Sequence, residues 1–380
     1  MKQNLQKSAI ACCFALAAAS AFAAVEGVTD TEIRIGMVNV QSGPASGLGK
    51  GMRSGAEAVF KEVNAKGGVH GRKIALLVGD DGYEPDKAVD ETLRMIEQQK
   101  VFSLFGYVGT PTGNAVLPIV KEMKVPLVGL FSGAMSLRSP VTKEVVNVRA
   151  SYDNEADALV EYFIAKGAKS IAVFYQDDGF GLAVLSGTEK AMKKRNLEVV
   201  AKGNFQRNTV AINTGLAAMV AAKPDAIVMV GTYTPLAAFI REARAAGLKS
   251  QLATVSFVGT DNLVDAVGKA GDGVVISQVV PFPLDQAVGI TKECAEVIQK
   301  HSGEKLGFVN FEGCITAKAM VAAMEKSGQE LTRTKLIEAF EGFSNVDLGG
   351  FTLNLAADNH QASNRVFMTQ ILDGKITPLR

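Results

Sequence analysis

The sequence predicts an α/β chain of two lobes, each built on a parallel β-sheet, with the chain crossing between them three times. Three observations lead there. Short apolar runs of strand length alternate with helical patterns from residue 33 to 130, the mark of βαβ units with right-handed crossovers. The alternation starts again near residue 145 and continues to about 280. Three helical patterns without intervening strands follow, and two strand-like pieces close the chain.

The first residues precede this pattern. Lys2 and Lys7 form a basic region, an apolar run follows, and Ala21-Phe22-Ala23 is an A-x-A cleavage site. Residues 1–23 therefore read as a secretory signal peptide, too short to span a bilayer. Removing them from the 380 leaves 357, more than one ordinary core accommodates. The expected lobes are 24–148 with 282–345, and 149–281 with 346–380.

In the first lobe, residues 33–40 form a buried-strand pattern that turns at Gln41-Ser42-Gly43-Pro44. Leu48, Met52, Ala56, Val59 and Val63 recur at helical spacing until Asn64-Ala65-Lys66-Gly67-Gly68 stops the helix. Residues 73–79 make the second strand, and Pro85 opens the next helix. Residues 102–105 and 127–130 are the third and fourth strands. Each ends in small and hydroxyl residues, GYVGTPTGN and FSGAMS, and the first cluster leads into a helix. Free N–H groups and the helix dipole at such a turn favour a polar or anionic ligand. Sites of this kind lie beyond the carboxyl ends of the strands.

In the second lobe, strands are expected at 171–175, 199–205, 226–230 and 251–256, separated by helices. The strand at 171–175 runs into Gln176-Asp177-Asp178-Gly179-Phe180-Gly181, and the one at 226–230 into Gly231-Thr232-Tyr233-Thr234. Pro281-Phe282-Pro283 makes a stiff return to the first lobe, where helices at 287–301, 311–326 and 332–343 pack. The strand pieces 351–353 and 366–371 are assigned to the second sheet. Three crossings make a hinge rather than a tether.

Composition excludes several functions. Loss of Lys2 and Lys7 takes the 40 basic residues to 38 against 39 acidic ones, a net charge of about −1. That balance points to neither nucleic acid nor a membrane surface. Four cysteines are present, and Cys12 and Cys13 leave with the signal. Cys294 and Cys314 remain, in an oxidising setting. They fit either one disulfide or two buried thiols, because spacing alone does not decide.

Catalytic and cofactor motifs are not met. The run Gly47-Leu48-Gly49-Lys50-Gly51 places Pro44 and Gly51 where a Walker loop needs glycine and a hydroxyl, and Met52 where a dinucleotide fingerprint needs glycine. Ser132 misses the spacing of a nucleophile elbow. His70, His301 and His360 have no metal spacing. Asp80-Asp81 and Asp177-Asp178 read as turn and helix caps. No catalytic residue, metal or cofactor is expected. What is left is a cleft for a small polar molecule, lined by strand-end turns of both lobes with Phe131, Phe180 and Tyr233 interleaved.

The chain resembles the type I periplasmic solute-binding proteins of the branched-chain amino acid (leucine/isoleucine/valine-binding) family. The residues that carry the resemblance are Ile33-Arg34-Ile35-Gly36 leading to Ser42-Gly43-Pro44; Asn64 to Gly71; and Asp80-Asp81-Gly82-Tyr83-Glu84-Pro85 with Ala88. Phe180-Gly181 and Ala243-Arg244-Ala245-Ala246-Gly247-Leu248 continue it. The resemblance implies two Rossmann-like lobes, a three-segment hinge and a ligand closed between the lobes. It further implies an extracytoplasmic monomer in the periplasm that delivers its ligand to an ABC permease in the inner membrane. An amino-acid carboxylate would then meet Thr110 and the turn Phe131, Ser132 and Gly133. Tyr233 and Phe180, where a tyrosine is usual, would come from lobe two, and Leu48, behind Ser42, would cover the side-chain pocket. Two departures stand out. Leu130-Phe131-Ser132-Gly133 replaces the usual P-A-A-T, and the position of the ammonium-pairing acid falls near Ser256, with Asp261 close by. An amino acid is the family's ordinary ligand. A small aromatic or dicarboxylic acid, with Arg138 available for an extra acid group, is the alternative, as is a periplasmic ligand sensor.

Overall fold

The computed structural model describes residues 25–379; the expected signal segment lies outside the described residues. The first sheet has five parallel strands in the order β2-β1-β3-β4-β5. They are β1 (Glu32–Asn39), β2 (Lys73–Asp80), β3 (Ser103–Phe105), β4 (Leu127–Val128) and β5 (Val145–Val146). Helices α1 (Ser46–Ala65), α2 (Pro85–Leu93) and α3 (Thr110–Met123) connect them. The strand order reverses beside β1, so the ends of β1 and β3 bound a crevice where ligands bind in open α/β sheets.

The second sheet has seven strands in the order β14-β13-β10-β9-β8-β6-β7. Helix α4 (Tyr152–Ala165) enters it. β6 (Ile171–Gln176), α5 (Gly179–Lys193), β7 (Val199–Phe205), α6 (Asn213–Ala222), β8 (Ala226–Val230), α7 (Tyr233–Ala245), β9 (Gln251–Thr254), α8 (Thr260–Val267) and β10 (Val275–Gln278) follow. β8, AIVMV, is buried along its whole length because helices cover both faces of the sheet, which is why it reads as a continuous apolar run.

The chain then returns to lobe one as α9 (Gly289–Ser302), α10 (Phe308–Lys326) and α11 (Arg333–Glu341). α10 lies against α1, where Gly55 lets the two backbones approach: a Cβ there would fall 1.9 Å from the Asn310 carbonyl oxygen. Cys294 of α9 and Cys314 of α10 are joined in a disulfide, which settles the alternative left open by their spacing.

The last crossing differs from the expectation at 346. β11 (Val346–Asp347) and β12 (Thr352–Leu353) form a separate two-stranded ribbon. Phe351, Leu353, Leu355 and Ala362 are buried in the core of lobe one with α10 and α11. Only β13 (Phe367–Leu372), with β14 (Lys375–Pro378), joins the second sheet, antiparallel to β10. The apolar face of 351–355 had a nearer partner than the second sheet, so the third hinge segment is the polar stretch around 361–366. Gln361 still bridges to Asn147 beside β5, which places the first and third crossings side by side.

One hydrophobic cluster runs without interruption from lobe one to lobe two. It includes Val38, Leu48, Tyr83, Phe131, Tyr152, Phe180, Val230 and Phe257. The lobes are therefore closed on each other.

Candidate functional site

The two turns after β3 and β4 meet as expected from their strand–turn–helix form. Thr110 begins α3, and its hydroxyl lies 2.8 Å from that of Ser132, both buried. Gly133 stands against the first turn of α4: its carbonyl accepts the Tyr152 N–H at 2.7 Å, and a Cβ on it would lie 2.5 Å from Tyr152 Cδ1. Only glycine lets the lobe-one turn sit this close to the start of lobe two.

Tyr152 is held by a capping box in which Ser151 and Asn154 exchange hydrogen bonds at the N-terminus of α4. The Tyr152 hydroxyl is buried without a partner, and burial is the first cause of its pKa lying above the ordinary range. Phe180 is set by a second cap, Asp178, which accepts the N–H groups of Phe180 and Gly181 at the start of α5. Its ring lies 5.3 Å from Tyr152 and 4.4 Å from Phe257. Phe257 meets two lobe-one rings, Phe131 at 5.3 Å and Tyr83 at 6.2 Å. Five aromatic rings thus line the junction of the lobes.

At the hinge end sits an ionic cluster. Arg149 follows β5 and is 1% exposed; its guanidinium lies 4.8 Å over the Phe131 ring. Arg149 Nη2 is 3.2 Å from Glu155 of lobe two, and Nη1 is 3.5 Å from Glu312 of lobe one. Burial works against the charge on Arg149, but the two glutamates outweigh it and hold its pKa above the ordinary value. Glu155 is saturated: it accepts from Ser256 N–H and Oγ, Ser277 Oγ and Arg149. Burial pushes Glu312 up to about 7.

The remaining expected residues spread along the cleft. Leu48 is buried and packs against Gly259 of lobe two, where a Cβ would come 2.6 Å from its Cδ2. Tyr233 stands at the rim, its hydroxyl accepting the Gly47 N–H at 3.2 Å across the lobes. Ser42 is exposed, and its N–H donates to Asp80 at 3.2 Å, so it lies outside the ring cluster. Ser256 contacts Arg149 and Glu155 rather than the Thr110–Ser132 pair. Asp261 does not turn toward the rings: its carboxylate accepts the Phe308 N–H at 2.7 Å, tying α8 to the start of α10. Arg138 is committed as well, to Gln361, the Ala134 carbonyl and the Arg149 carbonyl.

Sequence reasoning missed Arg149, Tyr152, Glu155, Phe257 and Glu312. The one local signal was Arg149 itself, a charge directly after the strand pattern at 145–148. The other four lie in ordinary helical or turn contexts.

A second set of contacts closes the rim. Glu84 of lobe one accepts from Arg207 and Asn208 of lobe two, each at 2.6 Å. Tyr83 accepts from Gln176 at 3.3 Å, and Thr234 donates to the Pro44 carbonyl at 3.2 Å. Among the described residues, no group of three His, Cys, Asp or Glu side chains is placed to hold a metal ion, and no helix is long and apolar enough to cross a membrane.

The profile of the periplasmic binding protein family matches residues 32–375. The Leu/Ile/Val-binding protein of Citrobacter freundii is 22% identical over 309 residues, covering 81% of this chain and 83% of that protein. Among solved structures, a possible leucine/isoleucine/valine-binding protein from Rhodopirellula baltica SH 1 is 34% identical, with a TM-score of 0.89 over 92% of this chain and 97% of that one. A branched-chain amino acid ABC transporter protein from Thermus thermophilus, solved with bound valine, shares the fold at 18% identity, with a TM-score of 0.83 over 93% and 96% of the two chains.

Proposed function

The chain belongs to the periplasmic binding protein family and is a solute-binding protein, and from that premise we propose that it serves an ABC importer in the periplasm. It captures a small organic carboxylate between its lobes and delivers it to a permease of the inner membrane. The observation that carries this reading is the buried Thr110–Ser132 hydroxyl pair, set at two strand ends and faced by lobe-two rings. Hydroxyl donors at a strand-end crevice suit a carboxylate, and rings that meet only when the lobes close suit a molecule enclosed by hinge motion. The molecule works by binding and closure, without a chemical step.

Two ligand classes agree with this. The names of the relatives favour an amino acid. The ring set favours a carboxylate with a flat apolar body. The test begins with protein stripped of co-purified ligand and a thermal-shift screen of amino acids, aromatic acids and dicarboxylates. Thr110→Ala with Ser132→Ala is expected to weaken the best ligand at least tenfold, about 1.4 kcal/mol or more, while leaving the ligand-free melting temperature nearly unchanged. Undiminished affinity in the double variant would remove the carboxylate from these turns.

A further inference from the structure

Resting on the reading of the cleft as a carboxylate site, we propose that Arg149 is its anion anchor and that the cleft selects carboxylates with a flat apolar body and no ammonium group. Arg149 Nε is buried with no hydrogen-bond acceptor, Nη1 has only the Glu312 carboxylate 3.5 Å away and makes no hydrogen bond to it, and the Tyr152 hydroxyl is buried without a partner. Leaving a buried donor unpaired costs about 1–3 kcal/mol, more for a charged group. All three are donors, and they lie beside the Thr110–Ser132 pair: Phe131, under the guanidinium, precedes Ser132, and Tyr152 packs against Gly133. Within the hydroxyl pair one O–H donates to the other and the second is free to turn outward, so unpaired donors of Arg149 and Tyr152 stand beside a free hydroxyl donor, which describes an anion's surroundings. A guanidinium stacked on a ring is suited to bind a carboxylate while buried.

An ammonium group finds no comparable partner. Glu155 is saturated by its four donors. Glu312 already faces Arg149. Asp81 has one unpaired oxygen, but its other oxygen accepts the Tyr83 N–H and burial pushes its carboxyl up to about 7, which disfavours the charge an ammonium group would need. Arg138 has acceptors for Nε, Nη1 and Nη2, so a second acid group on the ligand gains nothing from it. The body of the ligand would take the place of contacts among Phe131, Tyr152, Phe180 and Phe257, where a flat apolar group gains both area and ring geometry.

The test uses the full mature protein, freed of ligand, titrated calorimetrically with benzoate, phenylacetate, 3-phenylpropionate and phenylacetamide, and with L-phenylalanine and L-leucine. At least one arylcarboxylate is expected to bind at least 100-fold more tightly than phenylacetamide and than either amino acid. Arg149→Gln combined with Glu312→Gln removes the cation and one of the two carboxyl groups facing it, leaving Glu155 with its donors from Ser256 and Ser277. In this variant, confirmed folded by its melting curve, the preference for phenylacetate over phenylacetamide should fall to under tenfold. An amino acid that binds as tightly as the best arylcarboxylate and closes the lobes overturns the ligand class and leaves the receptor reading standing. A wild-type preference retained in the double variant overturns the role of Arg149. Absence of binding by every probe overturns the inference, and the wider screen of the receptor reading then stands or falls by itself.

Discussion

Glu84 and Arg207 join the lobes at the rim, whereas Arg149 joins them at the hinge through Glu155 and Glu312. The rim pair is short, 2.6 Å, yet its side chains are 41% and 19% exposed. The hinge contacts are longer, 3.2 and 3.5 Å, but involve side chains no more than 7% exposed. Distance alone would rank the rim first. Water reverses the ranking, because screening at the rim leaves little net energy while an unpaired charge at the hinge has no solvent to turn to. The rim therefore adjusts how readily the lobes meet, and the hinge decides what they can meet around.

The largest effect expected from this contrast is Arg149→Met, which strands two buried glutamates. It should destabilise the ligand-free protein by about 3–5 kcal/mol in urea unfolding. A loss no greater than that of a rim variant would erase the distinction.

Next comes the pH dependence of the hinge. Burial raises Glu312 from 4.5 to about 7, so the folded protein keeps a proton that the unfolded chain releases. Its contribution to stability is full below pH 4.5 and is lost as pH rises through 7, on the order of 3 kcal/mol. Asp81, raised by burial from 3.8 to about 7, adds a slope of the same sign. Glu312→Gln should thus make the decline in stability between pH 5 and 7.5 shallower, read from melting curves; an unchanged decline would mean that Glu312 stays ionised in the fold.

The smallest effect belongs to the rim. Arg207→Ala should cost less than about 1 kcal/mol of stability, and the difference from wild type should shrink further in 0.5 M salt. A larger, salt-insensitive loss would show that the rim pair behaves as a buried one.

The same contrast explains what the sequence made legible. The strands, their order of appearance and the residues at their ends follow from local periodicity and turn chemistry, so Thr110, Phe131, Ser132, Gly133 and Phe180 could be singled out, and the structure brings them into one cluster. The hinge charges are set by distant pairs. Glu155 meets Ser256 and Ser277, more than 100 residues on, and Glu312 reaches Arg149 from α10. No local pattern encodes such a meeting. The boundary at 346 was misplaced for a related reason: strand composition in 351–353 does not say which sheet it serves, and burial of Phe351 and Leu353 in lobe one decides it.

Closure of the lobes around a small carboxylate is measured by small-angle X-ray scattering of the ligand-stripped protein before and after saturation with its tightest-binding carboxylate. A smaller radius of gyration is expected on saturation, with the ligand-bound curve matching the closed form of the lobes. Identical curves in the presence of calorimetrically proven binding would contradict it.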